Sequence, residues 1–211
     1  ASQYSGGIYH KTQIDLTYNS NHMEGSRLTH DQTRYIFETN TIGAENEVLN
    51  VDDVIETANH FRCIDLIIDH AKSSLTEKFI KELHLTLKSG TSDSRKDWFA
   101  VGDYKKLPNE AGEMETALPE ETAGKMKTLL REYNAKEEKT FEDILDFHVK
   151  FERIHPFQDT DVIIGTRLEK PSKINGFTLL SPIFLSHAGW REDGAVHINT
   201  YYTKSQMGLC G

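Results

Sequence analysis

Apolar positions recur at helical spacing through much of the chain, and four helices follow from that pattern. Residues 51–71 place Val54, Ile55, Ala58, Phe61, Ile64 and Ile68 along one side of a helix, with Asp65 beside them. A second helix carries Phe79, Ile80, Leu83 and Leu87, and Thr76 stands where its N-cap is expected. A third runs over 119–134. It opens on Pro119 followed by Glu120 and Glu121, which suit a first turn, and turns Met126, Leu129, Leu130 and Tyr133 inward. The fourth begins at a capping-box-like Thr140-Phe-Glu-Asp143 and aligns Ile144, Phe147, His148, Phe151 and Ile154 in one apolar stripe.

Between the second and third helices the pattern changes. In Asp97-Trp-Phe-Ala-Val-Gly-Asp-Tyr104, aromatic and β-branched residues flank Gly102-Asp103, and Pro108-Asn109 follow, which predicts a small β-hairpin near 98–109. Beyond residue 160 the β-branched Val162, Ile163 and Ile164 start a helix poorly, and Pro171 and Pro182 interrupt the remaining stretch. Segments 176–180 and 195–202 there look strand-like. The expected layout is mainly α, with one inserted β-hairpin and a tail (161–211) of uncertain class.

Composition narrows the function. A chain of 211 residues suffices for a hydrophobic core, and a net charge of −9 argues against broad binding to nucleic acid or anionic membrane. Its basic residues form only short pairs such as Lys105-Lys106. No apolar run is long enough for a membrane span, and Ala1-Ser2-Gln3-Tyr4 does not begin a signal peptide, so a cytoplasmic setting is expected. Cys63 and Cys210 form neither a metal spacing nor a disulfide framework, and Cys63 lies in an apolar helical pattern that predicts a buried thiol. Charge is unevenly spread: residues 161–211 hold four acidic and five basic residues, against 29 and 19 in residues 1–160. The shift separates a domain over 1–160 from an atypical tail over 161–211.

The chemistry-bearing run is Phe151-Glu-Arg-Ile-His-Pro-Phe-Gln-Asp159. Pro156 removes an amide donor and stops the fourth helix at His155. An imidazole projecting from a helix end is suited to proton exchange at neutral pH, and Asp159 offers a hard oxygen ligand for Mg²⁺. The same residues also read as an ordinary helix C-terminus with a favourable His and a turn-forming Asp. Upstream, Ser20 and Glu24 are four apart, so one helical face can present both; by themselves they read equally as a helix-end cap and a solvated acid.

The run His155-Pro-Phe-Gln-Asp159, with Phe-Glu-Arg-Ile before it, resembles the Fic family motif His-Pro-Phe-x-(Asp/Glu)-Gly-Asn-Gly-Arg-x-x-Arg. Ser20-Asn-His-Met-Glu24-Gly25 resembles the family's inhibitory motif, and Thr29 to Asn40 is similar to the segment that follows it there. The resemblance spans residues 12–159 and implies a Fic-type helical bundle that transfers AMP from ATP to a Ser, Thr or Tyr hydroxyl of a target protein. It implies that His155 accepts the hydroxyl proton and that Asp159 holds Mg²⁺. The hairpin would dock the target by strand addition. Inhibition would come from Ser20, Glu24 and Gly25, with Glu24 paired to the motif's last arginine. Homo-oligomerisation is left open.

After Asp159 the resemblance stops. Thr160 and Val162 stand for the two glycines, Asp161 for asparagine, and Ile163 and Thr166 for the two arginines. Glycines let amides approach phosphate at a helix N-terminus, and a branched Val162 obstructs that approach. Loss of two charge-assisted bonds and gain of one repulsion costs roughly 4–7 kcal/mol, three to five decades of affinity. Impaired ATP binding and transfer are expected, together with loss of the partner of Glu24. The alternatives are a non-catalytic Fic scaffold that binds proteins, or a truncated or frameshifted Fic product whose exposed apolar surface drives self-association. The abruptness of the change favours a single event over gradual decay, and reading the DNA around codons 158–170 in its other frames distinguishes them.

Overall fold

The computed structural model describes residues 7–44, 47–111 and 114–158. Six helices follow in order: α1 (Ile8–Met23), α2 (His30–Thr39), α3 (Val51–Asp69), α4 (Glu77–Lys88), α5 (Pro119–Asn134) and α6 (Phe141–Ile154). They pack largely as a sequence of neighbours. The first three contact one another, α3 lies on α4, α4 touches α5, and α5 lies on α6.

Local chemistry accounts for the helix starts. Thr76 accepts from the Phe79 amide at the head of α4, and Pro119 occupies the first turn of α5. Thr29 and Thr140 each close a full capping box, with Gln32 and Asp143 reaching back to the cap amide. Asn50 caps α3 through the Asp52 amide. At the other end of α4, the Asn59 amide donates to the Leu87 and Ser89 carbonyls, so a buried polar residue of α3 satisfies acceptors that α4 leaves open.

The main core gathers Cys63, Ile67, Ile80, Leu83, Leu87, Met126, Leu129, Leu130, Tyr133, Phe147, Phe151 and Ile154 from α3 to α6, with Tyr104, Ala117 and Phe157 from the connections. A smaller cluster of Leu28, Ile36 and Phe61 joins α2 to α3. The expected inward residues of α5 and α6 are buried as the spacing required, as are Ile80, Leu83 and Leu87 of α4, while Phe79 is only half-buried.

α1 packs differently. Its inner positions Gln13, Thr17, Ser20 and Asn21 are polar and buried. Gln13 donates to Asp65 at 2.8 Å, Tyr9 donates to the same carboxylate, Thr17 shares a 2.8 Å hydrogen bond with His60, and Asn21 donates to Thr57 at 2.9 Å. The α1–α3 contact therefore includes a ladder of side-chain hydrogen bonds, which offsets much of the cost of burying those polar groups.

The hairpin expected near 98–109 does not form there. That segment is a run of turns, with Ala100 at φ 53° and Gly102 at φ 77°. Its Phe99 and Tyr104 serve the core instead of strand faces. A short antiparallel pair lies farther along, Glu110–Ala111 (β1) with Met114–Glu115 (β2), in the register Glu110 to Glu115 and Ala111 to Met114. The tail 161–211, including the strand-like stretches expected at 176–180 and 195–202, lies outside the described residues. Among the described residues no helix is long and apolar enough to cross a membrane.

Candidate active site

Helix α6 delivers His155. The helix ends at Ile154, and His155 caps it in the left-handed region at φ 47°, ψ 67°, its amide donating to the Phe151 carbonyl at 2.9 Å. Pro156 enforces that stop, because the residue before a proline is pushed out of the helical region. A non-glycine residue held at positive φ costs on the order of 1–3 kcal/mol and persists where its surroundings over-determine it. Those surroundings are visible here. His155 itself is 4% exposed, so its backbone and ring sit inside the protein fabric.

Phe157 anchors the turn from below. It stacks on His84 with ring centroids 4.1 Å apart and packs near Tyr104 and Phe151. His84 is held in turn by the Gly102 amide, which donates to its Nδ1 at 3.0 Å. Gln158, also buried, accepts from the Leu107 amide at 3.1 Å. From the other side Lys105 reaches in: its amide donates to the Pro156 carbonyl at 2.8 Å and its ammonium donates to the Ile154 carbonyl at 3.2 Å. Asn109 donates to the Phe157 carbonyl at 2.8 Å and, more weakly, to the His155 carbonyl at 3.5 Å. The segment 105–109 thus holds the carbonyls of 154–157 one by one and the side chain of Gln158.

A helix end that presents a buried histidine through His-Pro-Phe, braced by the turns that precede a short hairpin, agrees with the comparison to known proteins. Residues 74–161 match the Fic/DOC family. That segment, which ends in the His155 turn, is the part of the chain that resembles the family. The chain is similar to a Fic-domain-containing signaling protein from Bacteroides thetaiotaomicron VPI-5482, with 26% identity, a TM-score of 0.67, and coverage of 90% of this chain and 70% of that one. A Fic family protein from Desulfovibrio desulfuricans G20 shares the fold at 18% identity and a TM-score of 0.57, covering 84% of this chain and 52% of that one. The curated proteins contain no match.

Within the Fic fold, Ser20 is buried near the end of α1, and Glu24 forms its C-cap with its amide donating to the Ser20 carbonyl at 3.3 Å. Gly25 follows at φ 100°, a conformation that suits glycine. The two therefore share the end of one helix, as their spacing implied. Position 166, opposite which the family resemblance would set Glu24, lies outside the described residues, as do Asp159, Thr160, Asp161, Val162 and Ile163.

The sequence at 160–166 departs from the donor set that the family motif presents to a polyphosphate. It supplies no guanidinium and one carboxylate where the motif calls for arginines, asparagine and glycines. Among the described residues no cluster of three or more His, Cys, Asp or Glu could hold a metal ion.

Lys105, Asn109 and Gln158 carry no signal in sequence reading. Lys105 looks like half of a solvated basic pair, and Asn109 like part of a Pro-Asn turn. Their role comes from long-range placement: Lys105 and Asn109 donate to carbonyls 49 and 48 residues away along the chain, and Gln158 accepts from an amide 51 residues away.

Proposed function

We propose that this Fic protein is built to transfer AMP from ATP to a Ser, Thr or Tyr hydroxyl of another protein, with His155 as proton acceptor, and that transfer in this chain is impaired. In such a reaction the hydroxyl oxygen displaces pyrophosphate from the α-phosphorus and its proton passes to the imidazole. The observation that supports the role of His155 is its fixed, left-handed placement at the end of α6, on a turn whose carbonyls are held by Lys105 and Asn109. Pre-set geometry of that kind is what a proton acceptor requires. Asp159 as Mg²⁺ ligand, and Ser20, Glu24 and Gly25 as an inhibitory segment, remain parts of this proposal that rest on the family motifs. The impairment rests on the replaced residues at 160, 161, 162, 163 and 166.

Incubation with labelled ATP and Mg²⁺ tests the reading, comparing the protein with His155→Ala. Weak labelling that disappears in the variant supports it. Equal, background-level labelling of both would sink it.

The same replacements favour a second reading, a non-catalytic Fic scaffold that binds a partner through its hairpin. The strand pair Glu110–Ala111 with Met114–Glu115 would be the docking element in that reading. That reading expects partner binding to survive His155→Ala and to fail in Glu115→Pro, because proline removes an amide from the short strand. Binding indifferent to Glu115→Pro counts against it.

A further inference from the structure

A buried lysine lies between the hairpin and the His155 turn. Lys105 is 3% exposed, and its three ammonium donors go to three neutral oxygens: Asn109 Oδ1 at 2.5 Å, Thr116 Oγ1 at 3.0 Å and the Ile154 carbonyl at 3.2 Å. A charge placed in a core is costly and contributes little to stability compared with an apolar side chain of similar size. Its retention calls for a reason other than packing, and the geometry supplies one.

The three acceptors belong to three different pieces of chain. Asn109 precedes β1, Thr116 follows β2, and Ile154 is the last residue of α6. Thr116 in turn donates to the Asn109 carbonyl at 2.6 Å and shares its Oδ1 at 2.8 Å, so the two feet of the hairpin are tied together at the lysine. The Asn109 side chain uses its Oδ1 for the lysine and its amide for the Phe157 and His155 carbonyls. One network therefore runs from the base of the hairpin, through Lys105 and Asn109, to the backbone on both sides of His155.

We propose that Lys105, acting through Asn109, is a positioning residue that locks the left-handed His155 turn to the feet of the β1–β2 hairpin. Movement of the hairpin would then be felt at the imidazole, and a segment docking on the hairpin would act on His155 through backbone carbonyls. The consequence for transfer rests on the reading of His155 as proton acceptor. The mechanical link does not.

The test uses the full chain and the imidazole NMR signals of ¹⁵N-histidine-labelled protein, with the His155 signals assigned by their loss in His155→Ala. Lys105→Met keeps side-chain length and removes the donors, and Thr116→Val is a milder isosteric cut of the same network. Both variants are first required to melt cooperatively. The expected result is a displaced or broadened His155 signal in Lys105→Met, with a smaller displacement in the same direction in Thr116→Val. The signals of His60, buried on α3 and bonded to Thr17, stay in place. If Lys105→Met does not fold, Thr116→Val alone decides. A folded variant whose His155 signals coincide with those of the unaltered protein overturns the proposal. Where transfer is measurable, kcat falls about 10- to 100-fold with KM changed less. Absent labelling with a displaced His155 signal contradicts the proposed function and leaves the link standing; labelling with an undisplaced signal does the reverse.

Discussion

Burial of Lys105 has a consequence for stability that can be worked out in advance. Desolvation, assisted by the charge of Lys125, pushes its ammonium down from the usual 10.5 to about 8. Below about pH 8 both folded and unfolded chains carry the proton, and the folded state bears the full cost of the buried charge. As pH rises through the folded value the native protein releases its proton first, while the unfolded chain keeps it until near 10.5. The unfolded state then binds more protons, so stability rises with pH. The whole shift amounts to about 3 kcal/mol, of which about 2 kcal/mol is realised between pH 7 and roughly 9.5. Lys105→Met has no such proton. Urea unfolding of both proteins across that range should show the unaltered protein gaining about 2 kcal/mol relative to the variant. Other titrating groups are common to both and cancel in the difference. A difference that stays flat from pH 7 to about 9.5 refutes the buried, charged lysine on which the clamp depends.

Three further outcomes are expected from the structure. Burial raises the Cys63 thiol to about 12, so in a Cys210→Ser background it should react with a thiol reagent only at the rate of unfolding; rapid reaction in native buffer contradicts its placement. A Cβ at Gly102 would meet Leu85 Cβ at 3.0 Å and occupy φ 77°, so Gly102→Ala should cost about 1–3 kcal/mol in denaturant unfolding, and no loss would show that the turn holding His84 is misplaced. Asn59→Ala removes both donors to the end of α4 and should cost about 1–3 kcal/mol, with faster amide exchange in the last turn of α4; unchanged stability contradicts the cap.

The helices α3 to α6 are legible in the sequence because local and global signals agree there. Thr76, Pro119 and Thr140 mark their starts, and Leu83, Leu87, Met126, Phe147 and Phe151 sit where helical spacing puts the core. α1 is far less legible, since its buried face is Gln13, Thr17, Ser20 and Asn21 and looks like solvated sequence. Only the partners on α3, some 36 to 56 residues away, make that face an inside. The hairpin is displaced from its expected position for a related reason. Phe99 and Tyr104 have strand-like chemistry, but tertiary burial uses them as core plugs at the ends of turns. The paired strands at 110–115 contain no β-branched residue to announce them. His155 is marked by its motif and by Pro156, whereas the clamp of Lys105 and Asn109 is purely tertiary.

The central claim is that the His155 turn is intact and that transfer is limited by the replaced loop. Restoring the loop separates the two. The combined substitution Thr160→Gly, Asp161→Asn, Val162→Gly, Ile163→Arg and Thr166→Arg rebuilds the Fic motif; it is made together with Glu24→Ala, because Thr166→Arg would restore the inhibitory partner of Glu24, and labelling by ATP and Mg²⁺ is measured with and without His155→Ala. The account predicts strong labelling of the restored protein, far above that of the unaltered chain, and its collapse when His155 is removed. A restored protein that stays folded and labels no better than the unaltered chain, or labels equally well without His155, contradicts it.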